Sequence, residues 1–290
     1  MGKKLSFTVN KQEKAVTFLS NNVAGISRAQ ADLLVKSGEM RVNGMRVKQN
    51  AVLEAGDTVS VFVPDAVTGQ ARASCINTVY DDKNIVVFDK PKRTAYDALP
   101  ALYGSPLFAV HRLDTNTTGL IVFAKTESVM NELAAAFRER RVKKTYRAAV
   151  YPAPNEDRAT LTAYTKLLHD QNIALVSAKS KHGYKTMVTE YAVVERIGGG
   201  AVLDVFPHTG RTHQIRAHLA FIGCPIIGEH KYGIRGNRVP CGAPESQMLA
   251  AVELVFSGLG GGLEYLNGKI FTAPDGFDLD FLRNNESDAQ

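Results

Sequence analysis

From residue 76 onward, the apolar residues of this chain gather into strand-length runs that do not alternate with helices. NIVVFDKP and GLIVFAKT are short and rich in β-branched residues, and KKTYRAAVY, KTMVTEYAVV and AVLDVFP read the same way. Two segments carry a helical period. TESVMNELAAAFRERR places Val129, Leu133 and Phe137 on one face behind a capping Thr126, and RTHQIRAHLAFIG aligns Ile215, Leu219 and Ile222 before Gly223 and Pro225 end it. Strands that outnumber helices without regular alternation predict an α+β fold with a mostly antiparallel sheet, not a doubly wound one.

The N-terminal part reads as a separate small module. In residues 15–65, Ser27 and Gln30 form a capping box ahead of ADLLVKSG, and Gly38 is placed to close that helix in a left-handed conformation. MRVNGMRV follows, with Asn43-Gly44 as a two-residue hairpin turn, and GDTVSVFV alternates as a further strand. DAVTGQARASC is small, polar and aperiodic, as a linker is. The predicted organisation is a small domain over 1–65, a linker over 66–75 and a larger domain over 76–285. A chain of 290 residues is long enough for one large domain and one small one.

Composition excludes several classes. A hydrophobic fraction of 44% builds a real core, and 22% charged residues argue against wholesale disorder. Cys75, Cys224 and Cys241 are odd in number and lack CxxC spacing, which predicts reduced thiols in a cytoplasmic protein. MGKKLSFTVNKQEK is too polar for a signal peptide, the glycine after Met1 lacks a convincing acylation pattern, and no run approaches the roughly 18 apolar residues of a membrane span.

The net charge of +6 is modest, but its distribution is uneven. Residues 1–65 hold nine Lys/Arg against six Asp/Glu, with Arg28, Lys36, Arg41, Arg46 and Lys48 on the helix-hairpin region. Residues 111–147 hold eight against four, and RERRVKK packs five cations, including Arg141, Lys143 and Lys144, into seven positions. Residues 207–238 hold five Lys/Arg and four histidines against one acid, Glu229. Any one cluster is also what a solvated face looks like. Three of them suit contacts to phosphates, which position RNA without reading its sequence.

Three segments hold chemistry-bearing residues. AVHRLDTNTTGLIVFAK (109–125) leads a polar loop with His111, Arg112 and Asp114 into an apolar strand. A carboxylate beside a guanidinium is a candidate for an acid held ionised, although an ordinary surface ion pair has the same sequence. KKTYRAAV (143–150) is a basic entry to a strand bearing Tyr146 and, by itself, reads equally as a strand with a core tyrosine. HTGRTHQIRAHLAFIGCPIIGEHKYG (208–233) opens a helix after a glycine turn, with Arg211, His213 and Arg216 near a terminus that suits anions. Its histidines raise the question of a metal. His208, His213 and His218 are spaced by five instead of the i, i+4 of a helical zinc pair, and no HExxH or cysteine pair accompanies them. His218 shares the apolar face of Ile215, Leu219 and Ile222, as a core histidine does.

Taken together and in this order, HRLDTNTTG, KTY, TGRTHQIR and GCPIIGE…Y resemble the RluA-type family of pseudouridine synthases, over about residues 78–275. SRAQADLLVKSGEMRVNG and AGDTVSVFV resemble the small RNA-binding domain named after a ribosomal small-subunit protein, which commonly precedes that catalytic domain. The resemblance implies that Asp114 is the catalytic aspartate, attacking the sugar or base or driving deprotonation of the ribose. It implies that Arg211 pairs with Asp114 and aims it, that Tyr146 stacks on the target base and joins the proton step, and that Arg112 helps the base leave the RNA stack. It places Leu249 in the pocket lining, and His111 joins Arg112 and Leu249 as a substrate-binding candidate. Arg28, Lys36, Arg41, Lys48, Arg141, Lys143 and Lys144 are the RNA-binding candidates.

The implied reaction breaks a carbon–nitrogen glycosidic bond, turns the uracil and rejoins it through carbon. No atoms are gained or lost, so no cofactor or metal is expected. One buried carboxylate suffices if the base flips out into a stacking pocket. The expected partner is structured RNA, ribosomal in preference to transfer RNA, for a monomer that binds no membrane. Departures from the family pattern are Thr118 in the loop turn, Glu229 after Gly228, the missing glycine after Lys90-Pro91, Ala250 where a histidine is common, and SGLGGGLEYLNGK in place of a Pro-containing connection. An inactive RNA-binding or assembly factor and a metal-dependent hydrolase are the alternatives.

Overall fold

In the computed structural model the described residues are 3–23, 26, 28–47, 49–63, 77–92, 94–96, 99–103, 106–168, 170–233 and 242–287. The Ser27–Gln30 capping box, the Arg28 side chain, Lys48, the linker over 66–75, Cys75 and Cys241 lie outside them. The chain divides into two compact units, Met1–Ile76 with Asp97–Pro106, and Asn77–Tyr96 with Leu107–Gln290.

In the first unit, β1 (Lys3–Thr8), β2 (Glu13–Lys14), α1 (Ala15–Asn22), α2 (Arg28–Lys36), β3 (Met40–Val42), β4 (Met45–Val47), β5 (Val52–Leu53) and β6 (Thr58–Val63) follow in order. A four-stranded sheet runs β1-β6-β3-β4, and β2 pairs with β5. The alternation of TVSVFV puts Val59, Val61 and Val63 into a core with Phe18 and Leu19 of α1 and Leu34 and Val35 of α2. Helix α2 ends as expected. Gly38, at φ 75°, lets its own N–H reach Val35 O (3.0 Å) and that of Glu39 reach Leu34 O (3.0 Å). Asn43 (φ 50°) and Gly44 (φ 83°) make the β3–β4 turn. Strand β1 was not legible in the sequence. It is held by its edge pairing with β6 and by Phe7, which meets Phe18 edge-on at 6.0 Å. Short helix α3 (Leu99–Tyr103) also belongs to this unit.

The second unit is built on an eleven-stranded sheet among the described residues. Its elements are β7 (Asn77–Asp81), β8 (Ile85–Lys90), β9 (Phe108–Ala109), β10 (Thr118–Ala124), α4 (Glu127–Arg138), β11 (Val142–Val150), β12 (Arg158–Leu168), β13 (Ile173–Ser177), β14 (Lys185–Ile197), β15 (Gly200–Pro207), α5 (Gln214–Phe221), β16 (Leu249–Phe256), β17 (Ile270–Thr272) and α6 (Asp280–Ser287). The order is β13-β12-β14-β15-β11-β16-β10-β8-β7, with β17 on β16 and β9 on β10. Every pairing is antiparallel except β10 with β16. The α+β expectation therefore holds. Strand β10 is buried from Gly119 to Ala124, because α4 packs on it through Val129, Leu133 and Ala136. Thr126 caps α4 by accepting from Val129 N–H, as predicted. The long β12–β14 arm was only partly legible, since the buried positions of β12 are Ala163 and Thr165, too small or polar to show a period.

Two irregularities shape the centre of this sheet. The β11/β16 register slips between Thr145 and Tyr146, leaving Val252 without a partner on β11, so Tyr146 emerges beside a bulge. Gly119, at φ 94°, lies so close to β16 that an added Cβ would stand 2.2 Å from Ala251 O. That contact is backbone and cannot swing away. Gly119→Ala is expected to cost about 2 kcal/mol or more of stability and to disrupt the loop before β10, as urea denaturation with an activity assay would show.

Candidate active site

The β9–β10 loop, the start of α5, β11 and the start of β16 surround a cavity of about 440 Å³, and Asp114, Tyr146, Arg211, Arg112, His111, Lys144 and Leu249 all line it. The sequence candidates from four separate segments are thus brought together.

Asp114 is held by its loop and by a guanidinium. Lys90, fully buried at the end of β8, donates from Nζ to Pro91 O (3.2 Å), Thr94 O (3.0 Å) and Thr115 O (3.1 Å), which fixes the backbone just after Asp114. Burial pulls this ammonium down to about 8, with the charges of Asp114 and Asp89 opposing the shift. Thr117 N–H donates to Asp114 O (3.0 Å), and Gln247 Nε2 donates to Thr117 Oγ1 (2.8 Å) in a buried contact.

The guanidinium is that of Arg216, which corrects the expected Arg211–Asp114 pair. Arg216 Nη1 donates to Asp114 Oδ2 at 2.8 Å, whereas Arg211 Nε donates to Thr186 O at 3.0 Å. Helix geometry is the reason. The helix begins at Gln214, so Arg216 sits in its first turn, while Arg211 lies in the preceding bend. Gln214 clamps that bend to β14. Its Nε2 donates to Val188 O (2.8 Å) and Thr189 Oγ1 (3.0 Å), and its Oε1 accepts from Thr209 Oγ1 (2.7 Å) and Arg211 N–H (3.0 Å). Arg211 still lines the cavity.

Glu229, the single acid of residues 207–238 and a departure from the family pattern, completes the arrangement. Its side chain is fully buried and takes Arg216 Nε on Oε2 (2.6 Å) and Nη2 on Oε1 (2.9 Å). Burial opposes charge on both partners. The fork of hydrogen bonds outweighs it, holding Glu229 below the usual carboxylate range and Arg216 above the usual guanidinium value. Asp114 Oδ2 is thereby occupied, and Oδ1 has no hydrogen bond among the described residues.

Tyr146 is 8% exposed, and burial together with the charge of Asp114 raises its hydroxyl well above the ordinary tyrosine value. Lys144 is lowered by burial, and its Nζ lies 5.7 Å from the Phe137 ring centroid. His111 serves the loop itself. Its ring stacks on Phe137 (4.4 Å between centroids), and Nε2 accepts from Val122 N–H at 3.0 Å. Burial and the nearby Lys144 push it down to about 3. Arg112 is exposed, with its guanidinium 5.8 Å from the Tyr96 ring. Arg141 is spent inside the protein, on Glu132 (3.2 Å), Glu139 (2.9 Å) and Gly258 O (2.6 Å), so the cation run at the end of α4 is divided between structure and surface.

The three candidate metal histidines go to different partners. His208 meets Glu190 (3.0 Å), His218 is buried on Thr189 Oγ1 (2.9 Å), and His213 meets Tyr232 (2.7 Å). Among the described residues no group of three or more His, Cys, Asp or Glu could hold a metal ion. Cys224 is a buried free thiol. No helix among the described residues is long and apolar enough to cross a membrane.

An aspartate anchored by Arg216 thus stands with a buried tyrosine at one open cavity. The chain belongs to the RNA pseudouridylate synthase family, whose model matches residues 75–221. It is an isomerase that converts uridine to pseudouridine in RNA. It is 31% identical over 245 residues to ribosomal large subunit pseudouridine synthase C of Vibrio cholerae (75% of this chain, 76% of the relative). It is 30% identical over 247 residues to an uncharacterised RNA pseudouridine synthase of Bacillus subtilis (78% and 80%). Among solved structures, human RNA pseudouridylate synthase domain containing 4 matches with a TM-score of 0.59 at 25% identity, over 75% of this chain and 95% of that one. Human RNA pseudouridylate synthase domain containing 1, at 24% identity and a TM-score of 0.60, shares the fold over 71% of this chain and 86% of its own.

Three outcomes follow. Arg216→Lys cannot bridge both carboxylates and is expected to cost about 3 kcal/mol of stability and to lower kcat at least a hundredfold. Arg211→Ala is expected to be near neutral for stability and to act mainly on KM, so steady-state kinetics separates the two arginines. His111 is neutral when folded, and an unfolded chain takes up its proton below pH 6.5, so stability falls as pH drops from about 6.5 toward 3. His111→Gln keeps an acceptor for Val122 N–H without titrating. Its stability–pH slope in that window is expected to be shallower by up to about 1.4 kcal/mol per pH unit in urea titrations.

Proposed function

We propose that this isomerase modifies structured RNA of the large ribosomal subunit, with Asp114 Oδ1 as the reacting atom and Tyr146 stacking on the flipped uracil. The observation that carries the reading is the asymmetry of Asp114, with Oδ2 tied to Arg216 and Oδ1 free of hydrogen bonds among the described residues. Arg112, exposed at the rim, suits a role in easing the base out of its stack. Leu249, 3% exposed, forms an apolar wall of the cavity. The ribosomal preference rests on the Vibrio cholerae relative.

RNA has a track to the site. A second cavity of about 940 Å³ shares Phe137, Lys144, Thr209 and Arg211 with the first. Arg138, Arg140, Lys143 and Arg158 line it against one acid, Glu190, which His208 (3.0 Å) and Arg158 (3.4 Å) already engage. Surplus cations along a groove suit a phosphate backbone. The first unit is read as an RNA-binding domain. Arg41 and Arg46 are directly opposed and exposed on its hairpin, a like-charge pair that a polyanion would relieve. Lys36 is exposed and pairs with Asp32 at 2.6 Å. The enzyme is read as a cytoplasmic monomer needing no cofactor.

The test is tritium release from RNA labelled at carbon-5 of uridine, with ribosomal and transfer RNA transcripts assayed separately. Wild type is expected to release tritium from ribosomal RNA, and Asp114→Ala to fall to background at unchanged RNA affinity. Release by the alanine variant at the wild-type rate would overturn the role of Asp114. Tight binding without release from any RNA by wild type would point instead to an assembly factor.

A further inference from the structure

His213 sits where local energetics do not favour it. It occupies the N-cap of α5 at φ 53°, ψ 25°, a left-handed conformation, and its side chain makes no capping bond. Strain of this kind persists where surrounding contacts impose it. Here the ring is 6% exposed and lies within reach of both Tyr232 and Asp114.

Hydrogen-bond accounting points to one state of this ring. The Tyr232 hydroxyl oxygen accepts from Ala174 N–H on β13 at 2.9 Å. Its one O–H then has His213 Nδ1, at 2.7 Å, as its acceptor. In that arrangement Nδ1 is the unprotonated nitrogen and Nε2 carries the hydrogen. That N–H faces Asp114 Oδ2 at 3.9 Å, too long for a hydrogen bond but close enough for its dipole to act on the carboxylate. The groups around the ring are Asp114 from the β9–β10 loop, Arg216 on α5, and Glu229, Lys231 and Tyr232 from the segment after it.

We infer that His213 is a positioning residue for Asp114, locked by Tyr232 as a neutral Nε2–H tautomer so that Oδ2 faces one guanidinium, that of Arg216, and one neutral N–H dipole. The inference rests on the reading of Asp114 as the reacting group. Protonating His213 would set a second cation beside Oδ2 and draw electron density from the carboxylate. The proton has only Nδ1 to enter, and that nitrogen is occupied by the tyrosine hydroxyl. Burial and the neighbouring Arg216 and Lys231 also disfavour the charged ring, against the pull of Asp114 and Glu229.

The first test needs no variant. In ¹⁵N-labelled wild-type protein at neutral pH, the His213 ring should show an unprotonated Nδ1 and a protonated Nε2, and a protonated Nδ1 would overturn the inference. The second is the pH profile of kcat for tritium release. His213→Leu should lower kcat about thirtyfold with KM within about threefold of wild type, and His213→Gln, whose amide can place an N–H near the Nε2 position, should recover about tenfold of that loss. The acid limb expected in wild type should move to lower pH in His213→Gln, whose amide takes up no proton. In Tyr232→Phe, which opens Nδ1 to a proton, it should move to higher pH. Superimposable profiles in all three proteins would overturn the inference. An inactive wild type with the stated tautomer would instead count against the reading of Asp114.

Discussion

The site depends on one guanidinium shared between two carboxylates. Arg216 is largely removed from water, and a buried cation is tolerable only when its donors are matched. Glu229 takes two of them in a fork, which fixes the plane of the guanidinium and leaves Nη1 aimed at Asp114. The order of dependence matters. Glu229 orients Arg216, and Arg216 orients Asp114, so the carboxylate away from the cavity sets the direction of the one facing it. Lys90 and Gln247 do the same for the backbone on the far side of Asp114, through Thr115 O and Thr117 Oγ1.

Much of this was legible in the sequence, and the failures are specific. The strands at the sheet centre announce themselves because they are apolar throughout, as GLIVFA is. The hairpin turn and the end of α2 announce themselves because Asn43-Gly44 and Gly38 carry the backbone angles needed there. Strand β12 does not, because its inward positions are small or polar. The cavity-lining residues were recovered from the family pattern, but the choice between two arginines five residues apart went to the wrong one. Arg211 adjoins the glycine turn and looks like a site residue, whereas Arg216 lies inside the helical stretch. Deciding between them required knowing that the helix begins at Gln214 and that Glu229, the single acid of residues 207–238, waits behind it. His111 carries a second task that the sequence did not show. A histidine in a polar loop suggests chemistry, and its ring nitrogen in fact closes the loop on Val122 N–H.

The cationic residues divide along the same line. The run at the end of α4 looks uniform in sequence, yet Arg141 is consumed by Glu132, Glu139 and a carbonyl, while Arg138, Arg140, Lys143 and Lys144 face the groove. Charge counts by segment therefore overstate the number of cations open to a polyanion, and only the accounting of partners separates the two groups.

The loop of Asp114 is tied to Lys90 at the end of β8, to Gln247 just before β16 and to Arg216 on α5, three places distant from one another in the chain. None of these ties can form locally, and each requires the ends of a long stretch of chain to meet first. The geometry around Asp114 is accordingly a product of the completed sheet and not of any one hairpin within it. A refolding chain would regain strands and helices before it regained activity, and partly assembled forms would hold the aspartate without its orientation.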